Sequence, residues 1–179
     1  MPSFGRPDAK GRSSGHRSGR DGKVHRPPRG EPFVWLTREL LSSPSWRARS
    51  INTVRLLDFL MIEHMNHAGT LNGRLMATHE QLRDFGLSAN AIRPSIEEAE
   101  FLGLLRYTRG GRWAGSNQPS VFRLTFLPAD NKSPTNEWKQ RTKEEIRTWE
   151  HERSRRRVAV QKRKAALRYE SAVPFKVRA

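Results

Sequence analysis

The chain has 179 residues, a formal net charge of +16, no cysteine, and a hydrophobic fraction of 35%. That fraction lies below the about 45–50% usual for a chain folded end to end, which predicts one ordinary domain with part of the chain outside any core. The composition excludes disulfides, thiolate metal sites and cysteine nucleophiles, and no stretch reaches the ~20 apolar residues of a spanning helix or resembles a secretory signal.

The charge is unevenly spread. Residues 1–30 hold eight Lys/Arg against two acids, residues 31–136 twelve against ten, and residues 137–170 twelve against six, with a further +2 in the last nine residues. Basic flanks around a nearly neutral block fit a polyanion, nucleic acid before a membrane surface, because Lys/Arg arms bind phosphate with release of counterions. Residues 1–32 are rich in Gly, Ser, Pro and Arg and hold few large apolar side chains. Nothing there offsets the entropy of ordering, so the segment is expected to be a disordered basic arm. Its Gly and Pro spacing opposes the amphipathic helix that a transit peptide needs.

From Phe33 the texture changes. Phe33-Val34-Trp35-Leu36 is a short apolar run, Thr37 can cap a helical turn through Leu40 and Leu41, and Ser43-Pro44 starts a second turn holding Trp46. Ser50 caps a longer helix. In it Ile51, Val54, Leu57, Leu60, Met61 and Met65 recur at helical spacing, Leu56, Phe59 and Ile62 widen the stripe, and Gly69 marks the end. Asn72-Gly73 is a turn signal before a brief strand at 75–77. Thr78 and Gln81 have capping-box spacing ahead of a short helix over 79–85, which Gly86 can stop. Ser88 or Asn90 caps the next helix, whose apolar face is Ile92, Ile96, Ala99 and Leu102, closed by Gly103. Two strands follow at 104–107 and 121–126, joined by a polar, Gly-rich loop over 109–120 that carries Arg109, Arg112 and Trp113. An exposed indole there has no obvious core role, and packing back onto the domain is its expected fate.

The domain so read spans 33–128, with Pro128 and Pro134 marking its exit. Residues 129–136 read as a linker and 137–170 as a charged, mostly helical extension without a regular apolar stripe, solvated or formed on DNA; 171–179 is a tail.

The order is long helix, short strand, short helix, tight turn, second helix, two-stranded hairpin. Two short helices joined by a three- or four-residue turn with glycine are what helix-turn-helix geometry requires, and residues 81–92 supply them. Leu82, Phe85, Leu87 and Ile92 lock the pair, leaving Asn90 and Arg93 outward near the start of the second helix, the part that reaches base edges. Arg suits guanine and Asn suits adenine through bidentate hydrogen bonds.

On these residues, on Ser43-Pro44-Ser45-Trp46, on Asn72-Gly73-Arg74-Leu75, and on the run from Ile96 through Gly103-Leu104-Leu105 to Phe122-Arg123-Leu124-Thr125, the chain resembles the winged helix-turn-helix domains of bacterial, prophage and plasmid regulators and replication proteins. The resemblance implies an α+β fold, a three-helix core with a small β-hairpin wing, and double-stranded DNA as partner. It implies 88–97 as the reading helix and 109–120 as the wing. Pro94 departs from an ideal reading helix, since proline is at ease only in the first turn; the helix then begins at Asn90 or kinks.

The candidate DNA contacts are therefore Ser88, Asn90 and Arg93, with Arg83 on the preceding helix, Arg109 and Arg112 in the wing, and Arg153, Arg155, Arg156 and Arg157 in the extension. Ser88 reads first as a cap, though a helix N-terminus also suits a phosphate. Glu97 and Glu98 read as solvated, and the far end of the helix is expected to point away from phosphate. His64-x-x-His67 lacks a third ligand, so no metal or other cofactor is expected. Nucleotide-binding loops, a nucleophile elbow and HExxH are all missing, so no enzyme or small-molecule substrate is indicated. The resulting expectation is a cytoplasmic, nucleoid-associated, sequence-preferring DNA-binding protein acting in transcription regulation or in plasmid or phage replication initiation. A homodimer is open. The alternatives are an RNA-binding or ribosome-associated protein and a protein-interaction module.

Overall fold

The computed structural model describes residues 30–113 and 116–172. The expected basic arm, apart from its last residues, and the tail from residue 173 lie outside the described residues, as do the side chains of 112–118 and 169–172. The chain divides into two units after Phe33, and the described helices and strands lie in the unit from Val34 onward.

This unit is a mixed α+β structure of several helices around a small three-stranded antiparallel sheet. Its first three helices are set by hydroxyl caps. Thr37 opens α1 (Arg38–Ser42) by accepting the Leu40 N–H, and Ser43 opens α2 (Pro44–Arg47) by accepting from Trp46. Ser50 opens α3 (Ile51–Asn66) by accepting from Thr53. Each hydroxyl satisfies a backbone donor that a helix start leaves without partner, worth about 1 kcal/mol apiece.

The face that α3 buries differs from the stripe expected. Thr53, Leu56, Leu57, Leu60 and His64 point inward, whereas Ile51 is 64% exposed and Ile62 is also exposed. Leu56, Leu57 and Leu60 of the expected stripe are buried, and the two further inward positions, Thr53 and His64, are polar and so escape a count of apolar residues. Thr53 is held there by donating to the Ser95 carbonyl, 3.5 Å away. His64 is buried, and its Nδ1 finds no hydrogen-bond partner among the described residues.

Burial of His64 holds its pKa below the ordinary histidine value of about 6.5. In that case the unfolded chain takes up a proton that the folded chain refuses, so stability is lost as pH falls from about 6.5 toward the folded pKa, by at most about 1.4 kcal/mol per pH unit. Urea unfolding of wild type and His64→Gln at pH 7.5 and 5.5 checks this. The wild type should lose more stability on acidification than the variant; parallel losses would refute the assignment.

Strand β1 (Leu75–Met76) pairs with β5 (Val121–Leu124), which pairs on its other side with β2 (Leu105–Thr108), in the order β1-β5-β2. The register sets Leu75 opposite Phe122 and Leu105 opposite Leu124, so these buried residues of all three strands share one face. Between β2 and β5 the chain makes a separate two-stranded ribbon, β3 (Gly111–Trp113) with β4 (Ser116–Gln118). Asn72, read in sequence as a turn residue, is a buried knot. Its Nδ2 donates to the carbonyls of Leu124, Leu127 and Pro128 at 2.8–3.0 Å, and its Oδ1 accepts the Leu124 N–H at 2.7 Å.

The stretch after Pro128 behaves differently from the expected linker and solvated helix. Ala129 is buried, and the Asn136 N–H returns to the Thr125 carbonyl. A 3₁₀ turn (Glu137–Gln140) then inserts Trp138 into the core, its carbonyl accepting from Ser45 Oγ at 3.1 Å. Helix α6 (Lys143–Ala172) follows, started by a reciprocal pair in which Thr142 N–H donates to Glu145 and Glu145 N–H donates to Thr142 Oγ1. The donated Thr142 N–H lowers the Glu145 pKa. Ile146 is buried and Trp149 stacks on Phe101, with ring centroids 4.5 Å apart and planes within 5°. Ile146 therefore brings the start of α6 into the core, and Trp149, one turn on, covers Phe101.

Candidate nucleic-acid interface

The candidate surface is built by two helices and the turn between them. Helix α4 (His79–Asp84) starts with the capping box read from sequence: Thr78 N–H donates to Gln81 Oε1 at 2.9 Å and Gln81 N–H to Thr78 Oγ1 at 3.1 Å. It stops at Gly86, whose φ of +98° only glycine adopts without strain. There Gly86 N–H bonds the Arg83 carbonyl and Leu87 N–H the Leu82 carbonyl, a Schellman stop with Leu82 and Leu87 both buried beneath it. From α3, Arg55 donates to the Gly86 carbonyl at 2.8 Å. Residues 85–88 thus reverse the chain within a fixed frame.

Helix α5 (Ala89–Phe101) begins after Ser88, which has extended N-cap geometry but accepts no side-chain capping bond. The helix runs on through Pro94. Pro94 has no N–H to give the Asn90 carbonyl, and that residue is exposed. Ile92, Ser95, Ile96, Glu98 and Ala99 face inward, leaving Ser88, Asn90, Arg93 and Glu97 along the outer side. Arg93 Nε lies 2.8 Å from Glu97 Oε1, yet the two side chains are 84% and 58% exposed. Such a surface pair is worth a few tenths of a kcal/mol and releases its arginine readily to a better acceptor.

Glu98 departs most from the reading of a solvated acid. Only 1% exposed, its carboxylate accepts the Ser50 N–H at 2.5 Å and the Ser50 hydroxyl at 2.7 Å, at the head of α3. Its third partner is Arg153 of α6, whose guanidinium also donates to the Pro94 carbonyl at 3.2 Å. One carboxylate therefore joins α3, α5 and α6. This corrects the place of Arg153 as a phosphate contact: its charge is engaged inside the fold, because a buried carboxylate without a cation would be costly.

The other candidates lie on α4, on the strands and on α6. Arg83 is exposed in the last turn of α4, and Arg109 is exposed just beyond β2. The ribbon base is tied by Ser120 Oγ, which accepts the Gly110 N–H at 3.1 Å and lies 3.2 Å from the Tyr107 hydroxyl. Arg112 and Trp113 lie in β3, and the expectations for their side chains fall outside the described residues. Arg155, Arg156 and Arg157 are exposed on α6, Arg156 in a loose pair with Glu152 at 3.6 Å. Sequence reading missed Arg55, because nothing local marks it and its partner, the Gly86 carbonyl, lies 31 residues away. Among the described residues no group of three or more His, Asp or Glu could hold a metal, and no helix is long and apolar enough to cross a membrane.

Comparison with models of protein families, with curated proteins and with solved structures finds no match to this chain.

Proposed function

We propose that residues 34–153 are a winged helix-turn-helix domain that binds double-stranded DNA with sequence preference, as a transcription regulator or a replication-initiation factor of bacterial, prophage or plasmid type, working at the nucleoid. The observation that carries this reading is the outer side of α5. Asn90 and Arg93 stand exposed in its N-terminal half, on a helix whose entry turn is held by two backbone hydrogen bonds and by Arg55. Base-edge readers need that rigidity, since a bidentate contact tolerates little misplacement. In this mechanism Arg93 exchanges Glu97 for a guanine edge, Asn90 takes an adenine, and Arg83 and Arg55 contact phosphates beside the groove. The β3–β4 ribbon is the wing, with Arg109 and Arg112 near the flanking backbone.

Selection of bound sequences from a random duplex pool gives the site. On that site Arg93→Ala should cost about 1–3 kcal/mol, roughly 5- to 150-fold in affinity, with little change on random DNA. Equal losses on both would remove Arg93 from base reading.

A further inference from the structure

Helix α6 is docked over its first turns and exposed from Ser154 through Leu167, and its direction is defined by where it docks. Its contacts climb α5 from the C-terminal end toward the N-terminal end. Arg141, just before the helix, donates to the Phe101 carbonyl at 2.6 Å, Trp149 stacks on Phe101, and Arg153 reaches Glu98 and Pro94. The order of these contacts directs α6 from Phe101 toward the half of α5 that bears Asn90 and Arg93. From Ser154 through Leu167 every residue is exposed, with six Lys/Arg and no acid. At 1.5 Å per residue this bare part is roughly 20 Å long.

The six cations fall in an ordered pattern. Arg155 and Lys162, Arg156 and Arg163, and Arg157 and Lys164 are each seven residues apart, so they form three lines along the helix, each pair roughly 10 Å apart. Together the lines occupy about two-thirds of the circumference. A second copy of this chain is disfavoured as occupant, since two such helices would repel, and Val158, Val160 and Leu167 make no heptad seam. A polyanion matches the charge, and the direction of the helix selects one.

We infer that the bare half of α6 is a directed phosphate-binding arm that grips the same DNA duplex that α5 reads. The inference rests on the DNA-binding reading above. The arm is not a free tail: the Glu98–Arg153 pair fixes it to α5, so its phosphate contacts fall at a set distance from the bases that Asn90 and Arg93 contact. Arg153 is a positioning residue here, and the exposed cations are the binding groups.

Two measurements on the full chain test this. In the first, Arg155, Arg156, Arg157, Lys162, Arg163 and Lys164 are all changed to Gln, and binding to the selected site is followed across salt. The slope of log K against log salt should fall by about 3, and affinity at 0.1 M salt on the order of 100-fold, while preference for the site over random duplex is kept. In the second, Ala165→Cys carries a backbone-cleaving iron chelate, uniquely placed because the chain has no other cysteine. Cleavage should map to one flank of the site, within about two turns of DNA. An unchanged salt slope, cleavage scattered along the duplex, or a loss seen on structured RNA alone would each overturn the inference. The first two outcomes leave the reading by α5 to stand on Arg93→Ala; a wild-type chain that binds no duplex at low salt defeats both.

Discussion

Gly103→Ala should lower folding stability by about 2–5 kcal/mol. Gly103 ends α5 in a second Schellman stop, with its N–H on the Glu100 carbonyl and the Leu104 N–H on the Ala99 carbonyl. Its φ of +69° costs an alanine about 1–2 kcal/mol. The added methyl also has no room, since a Cβ would lie 2.7 Å from the Glu137 carbonyl carbon and the Trp138 nitrogen. Those are backbone atoms of the segment that carries Trp138 into the core, and making space for them costs a further 1–3 kcal/mol or so. Gly86→Ala is the control. Its φ is +98°, but the nearest atoms are those of the Arg55 guanidinium at 3.9 Å, so it should cost only the backbone strain. Urea unfolding of the two variants measures the difference. Equal losses would mean that the 137–138 segment does not press on Gly103.

Glu98→Ala should be comparably damaging, at about 2–4 kcal/mol. The substitution leaves the Ser50 N–H without its acceptor at the head of α3 and strips Arg153 of its carboxylate where it is only 20% exposed. The pair itself need not be strongly stabilising, because removing both ions from water is costly; the loss comes from leaving one partner behind. Hence Glu98→Ala with Arg153→Ala should lose clearly less than the sum of the two single changes, with a coupling of about 1–2 kcal/mol. Additive losses in thermal and urea unfolding would show that the two side chains do not act on each other.

Much of the site was legible because its determinants are local. Thr78 and Gln81 cap α4 through groups three residues apart, Gly86 allows one backbone conformation that its neighbours avoid, and Leu82, Leu87 and Ile92 fall inward by helical spacing. From those alone, Asn90 and Arg93 had to face outward. Pro94 left two starts open for the helix, and the structure places the N-cap at Ser88. Arg55 could not be assigned, because the Gly86 carbonyl that it holds is 31 residues away.

The exposed stripe of α5, the caps of α1 to α4 and the concentration of charge in the flanks were determined by the sequence itself, since each depends on residues within a few positions of one another. What Glu98, Arg153, Asn72, Trp138 and Trp149 do was decided only by tertiary structure. Each is polar or isolated in its own segment, and each finds its partner across a long separation, as Glu98 does 55 residues on at Arg153 and Asn72 does 52 residues on at Leu124. A buried carboxylate and a surface one look alike in sequence, because the cation and helix end that make burial tolerable are brought by the fold. That same pairing gives the charged helical extension read from the sequence an anchor and a direction.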